Sequence, residues 1–330
     1  MSTRTPRDDD GLVEGPPRDA GPSGVIGAEL LPSATGEFEA AAHAAPVARS
    51  QWALLRRRFF RHKLAVVSLG VLALIFVACF GADLFAPYSN TQQDLLLGPV
   101  SPRVGHWLGT DELGRDQLSR VLYAGQISLK VGLAVALIST FVGTAVGAIA
   151  GYAGRATDQV LMRVTDLFLV VPALAILALA LDRFGNEDTT IILVLAGLFW
   201  MYAARVVRGQ VMSIKEKEFV EAARASGASS TRIVVRHVLP NTVGPILVTA
   251  TLGVALAIVT ESTLSFLGFG VQPPETSWGN LLKDAEGTVG TSQAYLIYGP
   301  GLAILITVLA VNFVGDGLRD AFDPRSERRR

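Results

Sequence analysis

The stretch VGLAVALISTFVGTAVGAIAGYAG, residues 131–154, runs for 24 residues without one charged side chain. At about 1.5 Å per residue a helix of that length covers about 36 Å, enough to cross the roughly 30 Å hydrocarbon layer of a bilayer. Five more apolar segments recur around it, at 64–82, 167–181, 189–204, 241–260 and 295–315. Half of the 330 residues are hydrophobic and only 18% are charged, a composition suited to lipid rather than water. The sequence therefore predicts an all-α membrane protein of six spans, near 64–85, 127–154, 163–182, 189–209, 241–261 and 295–316, with a polar segment 86–126 outside the membrane.

The third and fourth segments are shorter than the roughly 18 residues expected of a span. Arg163, Arg183 and Arg205 sit where long side chains snorkel to the interface, and burial beside neighbouring helices accommodates Asp166. Charge then sets the orientation. With six spans, twenty Lys and Arg fall on one side, six on the other, and three in the distal N-terminal tail. The positive-inside rule places both termini and the loop between the fourth and fifth spans in the cytoplasm.

Residues 1–48 are rich in Pro, Gly, Ala, Asp and Arg and show no helical or strand period, so they read as a disordered cytoplasmic tail. Residues 326–330 read as a basic tail, and 49–325 as one transmembrane domain. The apolar run after Arg56, Arg57, Arg58, Arg61 and Lys63 is too long for a secretory signal and lacks a small-residue cleavage site. Gly143, Gly147 and Gly151 repeat every four residues, which allows close helix approach or a hinge. Pro172, Pro245 and Pro300 interrupt spans, as membrane helices tolerate where neighbours re-satisfy the backbone. The single cysteine, Cys79, lies inside an apolar run and reads as a core residue.

KEKEFVEAARASGASSTRIVVRHVLPN, residues 215–241, has a different grammar. Helix formers from Glu216 to Ser226 are followed by Gly227 as a stop, by Ser229, Ser230 and Thr231 as candidate N-caps, and by a proline where the next span begins. Two short helices at a turn make a compact knob. Ala222, Ala223 and Ala225 let another surface approach closely, with Glu221, Arg224 and Arg232 at the rim. Spacing alone leaves open an interfacial hairpin that merely joins two spans.

The segment resembles the EAA loop of ABC importer permeases, with Glu221, Ala222, Ala223, Gly227, Leu239 and Pro240 on the motif's positions. Arg224 lies inside the same motif, and His237 stands where an aliphatic residue is usual. HWLGTDELGRDQLSRVLYAGQISLKVG (106–132), ESTLSFLGFGVQPPETSWGN (261–280) and NFVGDGLRDAFDPR (312–325) look like the C-type permease of the dipeptide, oligopeptide and nickel branch. The resemblance implies a type I ABC importer permease in the bacterial inner membrane, with residues 215–241 coupling it to the ATPase. The implied partners are a homologous B-type permease completing a heterodimeric pore, one or two cytoplasmic ABC ATPases, an extracytoplasmic solute-binding protein and the lipid bilayer; nucleic acid is not among them. It also implies that this chain binds no cofactor, ATP and Mg belonging to the ATPases, and that the solute is a di- or oligopeptide, nickel or another small molecule.

Other polar clusters read more simply. His106, Asp111, Glu112 and Asp116 lack a His pair at ligand spacing and sit among turn residues, so Asp111, Arg115, Asp116 and Arg120 are expected to pair with one another or to contact the binding protein. Glu261 lies about 28 Å along a helix from Thr242, near the outer end of the fifth span, and is a candidate for the substrate path or for a helix-end hydrogen bond. Asp316, Arg319, Asp320 and Asp323 read as a salt-bridge network at the cytoplasmic end of the last span. The sequence holds no G-x-x-x-x-G-K-[ST] loop, and its four histidines, His43, His62, His106 and His237, suggest no catalytic triad. The competing class, a self-sufficient secondary transporter or channel, would place several charges at mid-bilayer depth. The charge count is testable: single cysteines at positions 98 and 276 should react with an impermeant reagent from outside the cell, and one at 229 should not. Labelling at 229 from outside would overturn the orientation.

Overall fold

The computed structural model describes residues 51–170, 172–185 and 187–322. The two predicted tails and Asp323 lie outside the described residues. Among them the chain is helical: α1 (Gln51–Arg61), α2 (Lys63–Phe80), α3 (Ala82–Phe85), α4 (Gln117–Ala153), α5 (Arg155–Val170), α6 (Ala173–Phe184), α7 (Asp188–Ile214), α8 (Glu218–Ala225), α9 (Ser230–Ile233), α10 (Leu239–Phe266), α11 (Trp278–Asp284) and α12 (Tyr295–Phe322).

The helix α4 that carries the opening stretch begins ten residues before the predicted span. Asp116 caps it, accepting from Ser119 N–H at 2.8 Å, and its first turn is polar. Gln117 is buried and its Nε2 donates to Leu296 O at 2.9 Å while its Oε1 has no partner, and Arg120 reaches Asp111 at 3.0 Å and Asp284 at 2.9 Å. A hydropathy window ends where these residues begin, but the helix continues because most of these polar groups find a partner.

Against α4 lies α7, parallel to it and in backbone contact. A Cβ on Gly151 would stand 2.8 Å from Arg208 O, and side chains on Gly143 and Gly147 would collide with Trp200 O and Ala204 O. Three glycines at four-residue spacing thus meet three carbonyls at four-residue spacing. The repeat is a packing stripe, since nothing about it leaves the helix free to bend there. In lipid, where apolar side chains gain little by leaving their surroundings, such van der Waals approach is a main source of helix association.

The third predicted span is two helices. α5 and α6 meet at an angle of 86° across Pro172, which lacks the N–H needed to continue the ladder and biases the residue before it away from α. The pair still carries the chain from one end of the bundle to the other. Asp158 pairs with Arg208, Asp166 with Arg205 at 2.5 Å, Phe168 with Trp200 edge to face, and Leu177 and Leu181 join the cluster of Ile191 and Leu195. The expected snorkelling of Arg205 is in fact an ion pair with the acid that made this span look marginal. Pro245 and Pro300, expected to interrupt their spans, lie inside unbroken helices α10 and α12.

Five helices are each long and apolar enough to cross a membrane, and the bent pair, counted as one span, brings the candidates to six. Gly317 near the end of α12 packs on Ala65 of α2, and Gly244 near the start of α10 packs on Phe322. Lys215 donates to Gly151 O at 3.1 Å. The first and last described residues and the loop 215–238 therefore share one end of the bundle. The segment 86–116, α11 and the starts of α4, α7 and α12 share the far end. Exposed Val67, Leu74, Phe76 and Val77 on α2 fit a lipid-facing surface.

A side chain on the stripe should force α4 and α7 apart, since overpacking costs about 1–3 kcal/mol. Gly147→Leu is expected to lower the thermal midpoint in detergent by several degrees, and Gly197→Leu, where nothing lies within 4 Å, to leave it nearly unchanged. Equal midpoints would mean that the stripe contributes nothing.

Candidate functional site

The loop 215–238 is a knob locked onto the bundle. α8 starts at Glu218, two residues later than the sequence predicts, and buries Val220 completely. Val220, Ile233 and Val238 form one cluster with Ala148, Val207 and Val211 at the ends of α4 and α7. What remains outside is chemically simple: Glu221, Ala222, Arg224 and Ala225 are exposed, and Ala223 is half-buried.

Gly227 ends α8 at φ +78°. Its N–H bonds Arg224 O at 3.0 Å, and Ala228 N–H bonds Ala223 O at 3.1 Å, the paired bonds of a Schellman stop, which favours glycine because a Cβ strains the left-handed conformation. Of the three candidate caps, Ser229 is the one used, its Oγ accepting from Arg232 N–H at 3.4 Å. A π-helical turn then runs Val234–Val238, closed by Leu239 N–H on Val234 O. This turn is absent from any sequence signal used above. It delivers the chain into α10 with half-buried Leu239 against the knob's core and Pro240 exposed in the first turn, where a missing N–H costs nothing. His237 is half-buried, and its carbonyl accepts from Asn241 Nδ2 at 2.6 Å. Glu221, Ala222 and Arg224 thus form the outer face, whereas Gly227, Leu239 and Pro240 shape the backbone.

At the far end Glu261 is fully buried. Ser265 Oγ donates to it at 2.7 Å and Ser128 Oγ at 3.2 Å, and Ser128 in turn accepts from Trp278 N–H at 3.2 Å. The carboxylate therefore joins α4, α10 and the start of α11, and it lines neither of the cavities that flank the loop after α10.

The segment before α4 is folded by its own charges. Asp111 takes Arg115 at 2.7 Å and Arg120 at 3.0 Å, as expected, whereas Asp116 departs from the expected set, bonding His106 Nδ1 at 2.9 Å and capping α4. His106 also stacks on Tyr88. Among the described residues no three His, Cys, Asp or Glu are grouped to hold a metal ion. Asp320, read as part of a network with Arg319, faces His62 at 3.6 Å. Cys79 is buried where Gly125 and Trp278 meet.

One site was missed by sequence reasoning. A cavity of about 960 Å³ opens at the far end among Lys130, Asp182, Glu187, Asp188, Phe269 and Glu275. Lys130 donates to Asp188 Oδ2 at 2.7 Å. The signal was present in the acid run at the start of the fourth span and in a lysine at the edge of the second, but only the pairing of α4 with α7 joins them.

Residues 143–328 match the family described as binding-protein-dependent transport system inner membrane component. The chain belongs to that family. Residues 50–99 also match the N-terminal transmembrane domain of oligopeptide transport permease C. The permease is 44% identical over 281 residues to the oligopeptide transport system permease protein OppC of Mycobacterium tuberculosis, covering 84% of this chain and 96% of that one. It is 42% identical over 279 residues to OppC of Escherichia coli, covering 84% and 92%. Against the dipeptide transport system permease protein DppC of Bacillus subtilis it is 40% identical over 272 residues, covering 82% and 85%. Membership makes the chain a multi-pass inner-membrane permease that works with a binding protein and an ATPase, and it removes the reading as a self-sufficient carrier.

The Schellman stop gives a direct check. Space around Gly227 is open, so the cost of a side chain there is backbone strain alone, about 1 kcal/mol. Gly227→Val should speed hydrogen exchange across 218–238 severalfold while Gly227→Asn, which tolerates this conformation, stays close to the parent. Equal exchange in both would remove the conformational role.

Proposed function

We propose that this permease forms half of a heterodimeric pore that admits di- and oligopeptides, with a B-type permease as the other half and the knob as the docking point for its ATPase. The observation that carries the coupling role is the knob's construction: a rigid backbone, fixed to α4, α7 and α10 by buried Val220, Ile233 and Val238, presents a small exposed face of Glu221, Ala222 and Arg224. Alanines allow close approach of a groove, and a charge of each sign at the rim sets register. The substrate class is supported by the names of the relatives, which are oligopeptide and dipeptide permeases.

In this reading both termini and the knob are cytoplasmic, in line with the distribution of Lys and Arg. ATP and Mg are held by the ATPase subunits, and this chain contributes motion rather than chemistry. The binding protein delivers solute at the far end, where the folded segment 86–116 and α11 stand. Purified alone in lipid, the permease should neither hydrolyse ATP nor accumulate peptide. In the complete transporter Glu221→Lys should reduce uptake about tenfold or more, since a like-charge contact at an interface costs several kcal/mol. A compensating charge on the ATPase groove should restore it. Normal uptake by Glu221→Lys in a fully assembled complex would reduce the knob to a connector.

A further inference from the structure

The far-end cavity is electrically unbalanced. Asp182, Glu187, Asp188 and Glu275 face it, and Lys130 is the one basic side chain among its described lining residues, so carboxyls outnumber ammonium groups four to one.

Asp188 distinguishes this wall from a solvated acidic rim. The residue is 6% exposed. Its Oδ2 takes the Lys130 bond at 2.7 Å, but its Oδ1 is buried and receives no hydrogen bond. Glu275, on the loop between α10 and α11, lines the same cavity, and its neighbour Asp188 holds its carboxyl above the usual carboxylate range. Two carboxyls facing one cavity, one of them buried, repel unless a cation stands with them. Leaving a buried acceptor without a donor is costly.

We propose that the Asp188–Glu275 pair receives an ammonium group of the transported solute; this deepens the peptide reading above and rests on it. An ammonium supplies three N–H donors, enough for Asp188 Oδ1 and Glu275 together. The apolar side of the same cavity, with Leu181, Phe269, Pro273 and Pro274, suits the carbon skeleton behind such a group. It does not suit a hydrated divalent ion, which takes oxygen on all sides. Glu261 is sealed among serines, so the pair, not that residue, is the carboxyl set a solute meets. The neighbouring cavity on the other side of the 268–275 loop contains Arg115 and Arg120, whose charges are already committed to Asp111 and Asp284.

The test uses the complete transporter, with its binding protein and ATPases, in proteoliposomes. Uptake of Ala-Ala-Ala, N-acetyl-Ala-Ala-Ala and N-acetyl-Ala-Lys-Ala is compared for the parent, Glu275→Gln, Asp188→Asn and the remote control Glu286→Gln. Because all share one binding protein, its own preferences cancel in the ratios. Glu275→Gln is expected to lower uptake of Ala-Ala-Ala about tenfold relative to the N-acetylated trialanine, as loss of one charge-assisted bond predicts, with Glu286→Gln unchanged. A matching fall for N-acetyl-Ala-Lys-Ala shows that a side-chain ammonium also enters the site, and no fall for it restricts the site to the α-ammonium. An unchanged ratio of free to blocked trialanine in both site variants overturns the proposal while leaving peptide transport standing. Failure of the parent to import any of the three overturns the peptide reading itself. Asp188→Asn weakens the ion pair that a buried carboxylate makes with half-exposed Lys130, so Glu275→Gln, on an exposed loop, keeps the outcome decisive if the former does not assemble.

Discussion

The close approach of α4 to α7 is the contact on which the rest of the molecule depends. Glycines 143, 147 and 151 bring one backbone against the carbonyls of 200, 204 and 208, and with two helix axes fixed at that distance the positions of both helix ends follow. At one end Lys215 can reach Gly151 O and the knob can seat Val220 against Val207 and Val211. At the other, Lys130 of α4 meets Asp188 of α7. Neither end would be built if the glycines carried side chains, because a lipid-embedded bundle has no hydrophobic collapse to hold loosely fitting helices together.

The bent α5–α6 pair shows how the same bundle tolerates charge. Asp158 and Asp166 would each be expensive in hydrocarbon, yet they lie opposite Arg208 and Arg205 along α7. Removing one partner would leave a poorly solvated charge, so these pairs matter more for register than for net stability. On either side of the 86° break at Pro172 the contacts differ: residues 155–170 meet α7 by ion pairing, and residues 173–184 meet it by apolar contact.

Much of this was legible in the sequence, and the unread parts share a cause. Spans showed as uncharged runs and the knob as helix formers, a glycine stop and a proline start, because these are local properties. Gly227 was readable because a left-handed stop leaves a residue-type signature. The first turns of α4 were not, since Gln117 and Arg120 look like loop residues until Leu296 and Asp284, more than 160 positions away, satisfy them. The same holds for Asp188 and Glu275: each is an ordinary acid near a span end, and only the folded chain makes them a pair. For Glu261 the sequence leaves two alternatives, a substrate contact or a helix-end hydrogen bond, and it cannot choose because the serines that bond the carboxyl come from two helices.

The two ends are linked by rigid elements rather than by a loose path. The knob continues through the π turn into α10, whose 28 residues span about 42 Å. At the far end of that helix Glu261 holds α4 and Trp278 through Ser265 and Ser128. A few residues beyond it, the 268–275 loop separates the two cavities and carries Glu275. Under the proposed coupling, a partner that shifts the knob shifts α10 with it, and the Glu261 tie links the start of the 268–275 loop to α4. A carboxyl bonded to hydroxyls on two helices is suited to that role: an apolar contact would slide, whereas hydrogen bonds are lost steeply with angle and distance. The geometry thus separates the sealed Glu261 from the Asp188–Glu275 pair at the cavity, to which the proposal above assigns the solute.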